Sequence, residues 1–199
     1  MLTLAKRLAR RVAMALYPRP RALGAIGRDS LVMLPRRVQG APHVHIGDDT
    51  IIQAHGWIAA FDAFGAQRFQ PRIQVGDGCR IGRGVIITAI EEVVIGDGCL
   101  FSEQVFVSDH AHQALPGPVA PTRQPLVPGG AVRIGRHCFV GIRASIMGGV
   151  QLGDHCVVGA HAVVTRSFPA GSVIAGVPAR LIRTMAIPAP SPDPRESHA

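Results

Sequence analysis

Residues 105–113, VFVSDHAHQ, place two imidazoles and a carboxylate within four positions: Asp109, His110 and His112. A neutral imidazole near pH 7 suits removal of a proton from an alcohol, so the segment offers a general base. Asp109 is the carboxylate that could orient a ring, but side chains of adjacent residues on an extended segment point to opposite faces, which counts against that contact. The His110–His112 spacing is also compatible with metal ligation, except that no clear third ligand accompanies it.

Cys79, Cys99, Cys138 and Cys156 invite a zinc reading until each is placed in its local pattern: V-G-D-G-C, I-G-D-G-C, I-G-R-H-C and L-G-D-H-C. All four fill one slot of a repeat, which Thr50 fills elsewhere, so the slot is expected to select for size, with the thiols packed in the core. The run Gly76-Asp77-Gly78-Cys79-Arg80-Ile81-Gly82 lies one residue from a dinucleotide fingerprint, but the same repeat accounts for its glycines. His137, His155 and His161 fall at polar repeat positions and read as solvated corners.

The repeat has a period of six. Its aliphatic column runs Ile46, Ile52, Ile58; Val75, Ile81, Ile87; Ile95, Phe101, Val107; Ile134, Val140, Ile146; and Leu152, Val158, Val164. Self-similarity at a fixed period marks a solenoid. Three hexads make one triangular coil, with the aliphatic side chain inward and Gly or Asp where the backbone bends. Interruptions fall at 64–72, at Glu91 to Val93, and at 113–133, where QALPGPVAPTRQPLVPGGAVR is too rich in Pro and Gly for a helix or strand. A loop of about 20 residues in a compact solenoid points to function.

Residues 2–16 read as an amphipathic helix, with Leu4, Leu8, Val12 and Leu16 on one stripe and Lys6, Arg7, Arg10 and Arg11 elsewhere. It serves as a cap on the first coil or as a peripheral contact with an anionic membrane. The expected organisation is therefore a lead-in over 1–42, a repeat domain over 43–183 and a disordered tail over 184–199. The chain has 199 residues, a net charge of +8, 47% hydrophobic and 5% aromatic residues. One domain with an aliphatic core is expected. The basic balance favours polyanions, but no helical or aromatic platform for nucleic acid accompanies it. No apolar stretch is long enough to span a bilayer and no export signal is evident, so a cytoplasmic location with reduced thiols is expected.

From about residue 43 to residue 183 the pattern resembles the hexapeptide-repeat acyltransferases. That resemblance implies an all-β, left-handed parallel β-helix, a homotrimer, and transfer of an acetyl group from acetyl-CoA to a hydroxyl without a metal. The D-H-A-H segment looks most like the sugar O-acetyltransferases, including those that modify polysaccharide, so the implied acceptor is a saccharide. Ungapped matching to the family puts the catalytic base on His112, with His110 the runner-up. The segment VVGAHAVVTRSFPAGSVIAGVPARLIR is similar to the closing coils of CoA-dependent members. By that likeness Gly141 and Ala160 line the pantetheine groove, Thr165 and Arg166 contact the cofactor, and Arg180 and Arg183 meet its phosphates, a role suited to the guanidinium fork. The chain departs from the family in placing Ile142 where Ser or Asn is common, and Arg166 where Lys is. Two other classes share the pattern: a β-helical zinc hydro-lyase and a non-catalytic scaffold.

Overall fold

A computed structural model of the chain describes Val12 and residues 23–187. The amphipathic segment over 2–16 lies outside the described residues except for Val12, and 188–199 lie outside them altogether.

The hexads wind into a left-handed parallel β-helix whose three faces are parallel sheets. The register confirms the columns read from sequence. Ile46, Val75, Ile95, Ile134 and Leu152 stack on one face, Ile52, Ile81, Phe101, Val140 and Val158 on the second, and Ile58, Ile87, Val107, Ile146 and Val164 on the third. These fifteen side chains are no more than 3% exposed. Burying each aliphatic chain contributes about 1.5–3 kcal/mol.

The solenoid begins earlier than the expected boundary at residue 43. Ala25–Ile26, Leu31–Val32 and Arg37–Gln39 form one more coil, pairing in parallel with Val44–Ile46, Ile51–Ile52 and Trp57–Ala60. At the other end Ser172–Gly176 stacks on Val157–Val158, and Ala179–Thr184 folds back antiparallel to it, so the last parallel strand of the second face is covered. The backbone N–H of Met185 still donates to the carbonyl of Gly171, so the ordered chain extends past 184.

The I-G-D signature has a mechanical cause. The Asp carboxylate of one coil accepts the backbone N–H of the coil before it: Asp48 from Arg28 at 2.7 Å, Asp77 from Asp48 at 2.7 Å, Asp97 from Asp77 at 2.8 Å and Asp154 from Arg136 at 2.8 Å. These contacts, made first to the backbone and then to the Arg28 and Arg136 guanidinium groups, hold Asp48 and Asp154 below the usual carboxylate range. The Gly before each Asp leaves room for the neighbour; a Cβ on Gly76 would lie 2.3 Å from Asp97 Oδ1.

The slot of the four cysteines selects for more than size. Ser30, Thr50, Cys79, Cys99, Cys138 and Cys156 each donate from the side chain to a carbonyl of the next coil, those of Gly47, Gly76, Gly96, Gly135, Gly153 and Pro169 in order, at 2.6–3.3 Å. Contact with the Cys138 and Cys79 thiols, together with burial, pushes the Cys99 thiol up. Cys99→Ser is accordingly expected to cost little, whereas Cys99→Ala leaves the half-buried Gly135 carbonyl without its thiol donor and costs about 1 kcal/mol in urea unfolding. Equal stability of the two variants would show that size alone governs the slot.

Candidate active site

Three excursions leave the solenoid at the same prism edge. The first is a hairpin, Ala63–Phe64 paired antiparallel with Gln67–Arg68. The second is the tight corner at Ile90 and Glu91. The third is the long loop, which contains structure that its Pro and Gly content argued against. His110–His112 pairs antiparallel with Leu126–Pro128, and Pro121–Arg123 forms a single 3-10 turn. The strand can form because Val127, opposite Ala111, keeps its N–H group and Pro128 sits at its end.

Glutamine side chains substitute for backbone pairing elsewhere. The Gln67 amide exchanges two hydrogen bonds with the backbone of Leu126, at 2.8 and 3.0 Å, tying the hairpin to the loop. Buried Gln124 accepts from the Leu115 N–H and donates to the carbonyls of Leu115 and Val119. The loop closes where it opened: the Gly129 N–H donates to the Asp109 carbonyl at 2.6 Å.

Asp109 is the pivot. Its carboxylate is fully buried, accepts the backbone N–H groups of Ile90 at 2.9 Å and Glu91 at 2.8 Å, and lies 2.8 Å from His110 Nδ1. The two adjacent side chains meet, against the alternation expected of an extended segment, because Asp109 occupies a bend between Phe106–Ser108 and His110–His112 rather than a continuous strand. A carboxylate at Nδ1 fixes the N–H there and leaves Nε2 as the basic nitrogen. The His110 side chain is 8% exposed.

His110 and His112, two apart on a strand, share a face. Both line a cavity of about 390 Å³. His110 packs edge-on against Phe61, with centroids 5.7 Å apart, and His112 against Phe64 at 5.4 Å. His112 is exposed, and only His110 is held by a carboxylate. The Asp-His adjacency is the signal that sequence reasoning had in hand and discounted.

The residues expected to bind the cofactor fall in three places. Gly141 and Ala160 stack on one corner, where a Cβ on Gly141 would lie 2.6 Å from the Ala160 nitrogen. Thr165 and Arg166 follow the last inward valine, Val164, and the Arg166 guanidinium lies 5.1 Å above the Phe168 ring. Arg180 and Arg183 lie exposed on the closing strand Ala179–Thr184. His137, His155 and His161 occupy left-handed corners, with φ of 56°, 59° and 57°. Among the described residues no three His, Cys, Asp or Glu side chains converge as a metal site, and no helix is long and apolar enough to cross a membrane.

Stacked hexads closed by a hairpin, with a loop-borne imidazole at one edge, define a hexapeptide-repeat β-helix. Two stretches match hexapeptide-repeat transferase families: residues 131–166 the bacterial transferase hexapeptide (six repeats), and residues 73–89 the hexapeptide repeat of succinyl-transferase. It is 31% identical over 140 residues to a probable acetyltransferase of Mycobacterium tuberculosis, covering 70% of this chain and 42% of that protein. It is 34% identical over 130 residues to the putative lipopolysaccharide biosynthesis O-acetyl transferase WbbJ of Escherichia coli, covering 61% and 63%. The chain thus spans less than two thirds of the length of either relative. Among solved structures, AntD, an N-acyltransferase from Bacillus cereus in complex with dTDP and 3-hydroxybutyryl-CoA, shares the fold with a TM-score of 0.65 at 16% identity, over 83% of this chain and 85% of that one. A maltose O-acetyltransferase from Clostridium difficile shares it with a TM-score of 0.54 at 17% identity, over 92% and 88%.

Proposed function

We propose that the protein is an acyltransferase that moves an acetyl group from acetyl-CoA to a hydroxyl of a saccharide, with His110 as general base. The observation that carries this reading is the buried Asp109 carboxylate against His110 Nδ1, at the edge of a cavity that both histidines line. His110 Nε2 takes the proton from the acceptor hydroxyl as its oxygen attacks the thioester carbonyl. The tetrahedral oxyanion then collapses, the C–S bond breaks, and CoA leaves as thiolate while the imidazolium returns the proton. Asp109 keeps the ring in the required tautomer and stabilises its positive charge. His112, the residue chosen by ungapped matching, then acts beside the base rather than as it.

The names of the relatives support this reading: acetyl transfer for both curated proteins and CoA thioester binding for AntD. The proposed cosubstrate groove runs past Gly141 and Ala160, with Thr165 and Arg166 at its side and Arg180 and Arg183 as phosphate partners. The proposed assembly is a homotrimer, in which a neighbouring protomer completes that groove, and the proposed location is the cytoplasm, with residues 2–16 available to the inner membrane surface. The test is thiol release from acetyl-CoA with a panel of methyl glycosides, on protein whose mass is measured by light scattering. Acceptor-dependent release by a trimer is expected; release no faster than hydrolysis for every glycoside overturns the reaction, and a monomer overturns the shared groove.

A further inference from the structure

The cavity beside the two histidines differs in chemistry from the rest of this basic molecule. Trp57, Phe61, Phe64, Phe106, Leu126 and Met147 form its walls. Besides the Trp57 indole N–H its polar lining residues are Thr88, Ser108 and the two histidines, and among the described residues no Asp, Glu, Lys or Arg lines it. The two hydroxyls are already engaged. Thr88 Oγ1 donates to Ser108 Oγ at 3.0 Å, and Ser108 Oγ donates to the His110 carbonyl at 2.8 Å. Polar recognition is left to the imidazoles and to the Trp57 indole N–H, which has no partner within the protein.

We propose that this cavity takes one uncharged pyranose ring by its apolar face and rejects rings that carry a carboxylate or phosphate. The inference rests on the reading above that the acceptor is a saccharide, and it narrows the acceptor to neutral sugars, with 6-deoxyhexosides the best fitted. A pyranose presents a face of C–H groups that buries well on aromatic rings, and the four rings here supply that surface on more than one side. A methyl at C6 adds apolar surface that these mainly carbon walls can bury. An anionic substituent is stripped of water with no cation to receive it, which is strongly unfavourable. The buried imidazole does not reverse this, because His110 reacts only when neutral and its charged form is already balanced by Asp109. The diphosphate of an activated sugar therefore lies outside the cavity, toward solvent.

Trp57 is the only tryptophan in the chain and lines the cavity, so its fluorescence reports occupancy directly. The experiment titrates the full chain with methyl glycosides of the gluco, galacto and manno series, each carrying methyl, hydroxymethyl or carboxylate at C6, read by Trp57 emission and by calorimetry. At least one neutral series is expected to bind saturably, with its carboxylate member weaker by about thirtyfold or more. Phe64→Lys, on the half-buried face of the hairpin, is expected to narrow that gap by about tenfold by bringing a cation to the wall. Carboxylates that bind as tightly as their neutral counterparts, or the absence of saturable binding by every neutral ring, overturn the inference. Neutral binding without thiol release from acetyl-CoA overturns the proposed reaction and leaves the cavity assignment standing.

Discussion

His110→Ala is expected to lower kcat by about 10²–10⁴ while leaving acetyl-CoA binding within a factor of a few, because it removes the proton acceptor and nothing that touches the cosubstrate. His112→Ala is expected to keep kcat within a few-fold and to raise the KM for the glycoside by about tenfold, the signature of lost ground-state contact with the acceptor. The opposite pattern, a dead His112 variant beside a live His110 variant, would return the base to the position that family matching selects. Asp109→Asn is a poorer probe of the same question. Asp109 also caps the Ile90 and Glu91 N–H groups, so its loss lowers stability along with kcat.

The largest effect on stability is expected from Phe101→Ala, at about 3–5 kcal/mol in urea unfolding. Phe101 is the one aromatic member of the inward columns, between Ile81 and Val140, and is 1% exposed. Truncation leaves a void in the middle of the stack, where each coil is supported only by its two neighbours. Phe101→Leu, which keeps most of the volume, is expected to cost less than half as much. A loss below about 1 kcal/mol for the alanine variant would mean that the coils close over the gap.

The fold was legible because a six-residue period leaves each coil no freedom: an inward aliphatic residue, a Gly that makes room and an Asp that reaches back. The first coil escaped notice although Ile26, Val32 and Val38 keep the interval. There Met33, Leu34 and Pro35 stand where Gly and polar residues mark the later corners. The cysteine column was placed correctly but explained incompletely, since only the structure reveals the carbonyl that each side chain meets. The segment that carries the proposed site was legible from residues 109–112. The proposed choice of His110 over His112 rests on a bend at Asp109, which depends on N–H groups at Ile90 and Glu91 eighteen or more residues away. Contacts of that span leave no trace in local spacing.

The hydrogen bond between the Gly129 N–H and the Asp109 carbonyl makes the long excursion begin and end at the same point of the prism. To the solenoid, twenty residues there amount to a closed appendix: the strands of the coils before and after stay in register across it. Added length between His112 and Leu126 therefore leaves the register of the frame untouched, and closing a longer flexible loop costs only slowly more entropy. A lineage built on this frame can exchange one excursion for another and acquire new clients without having to fold anew.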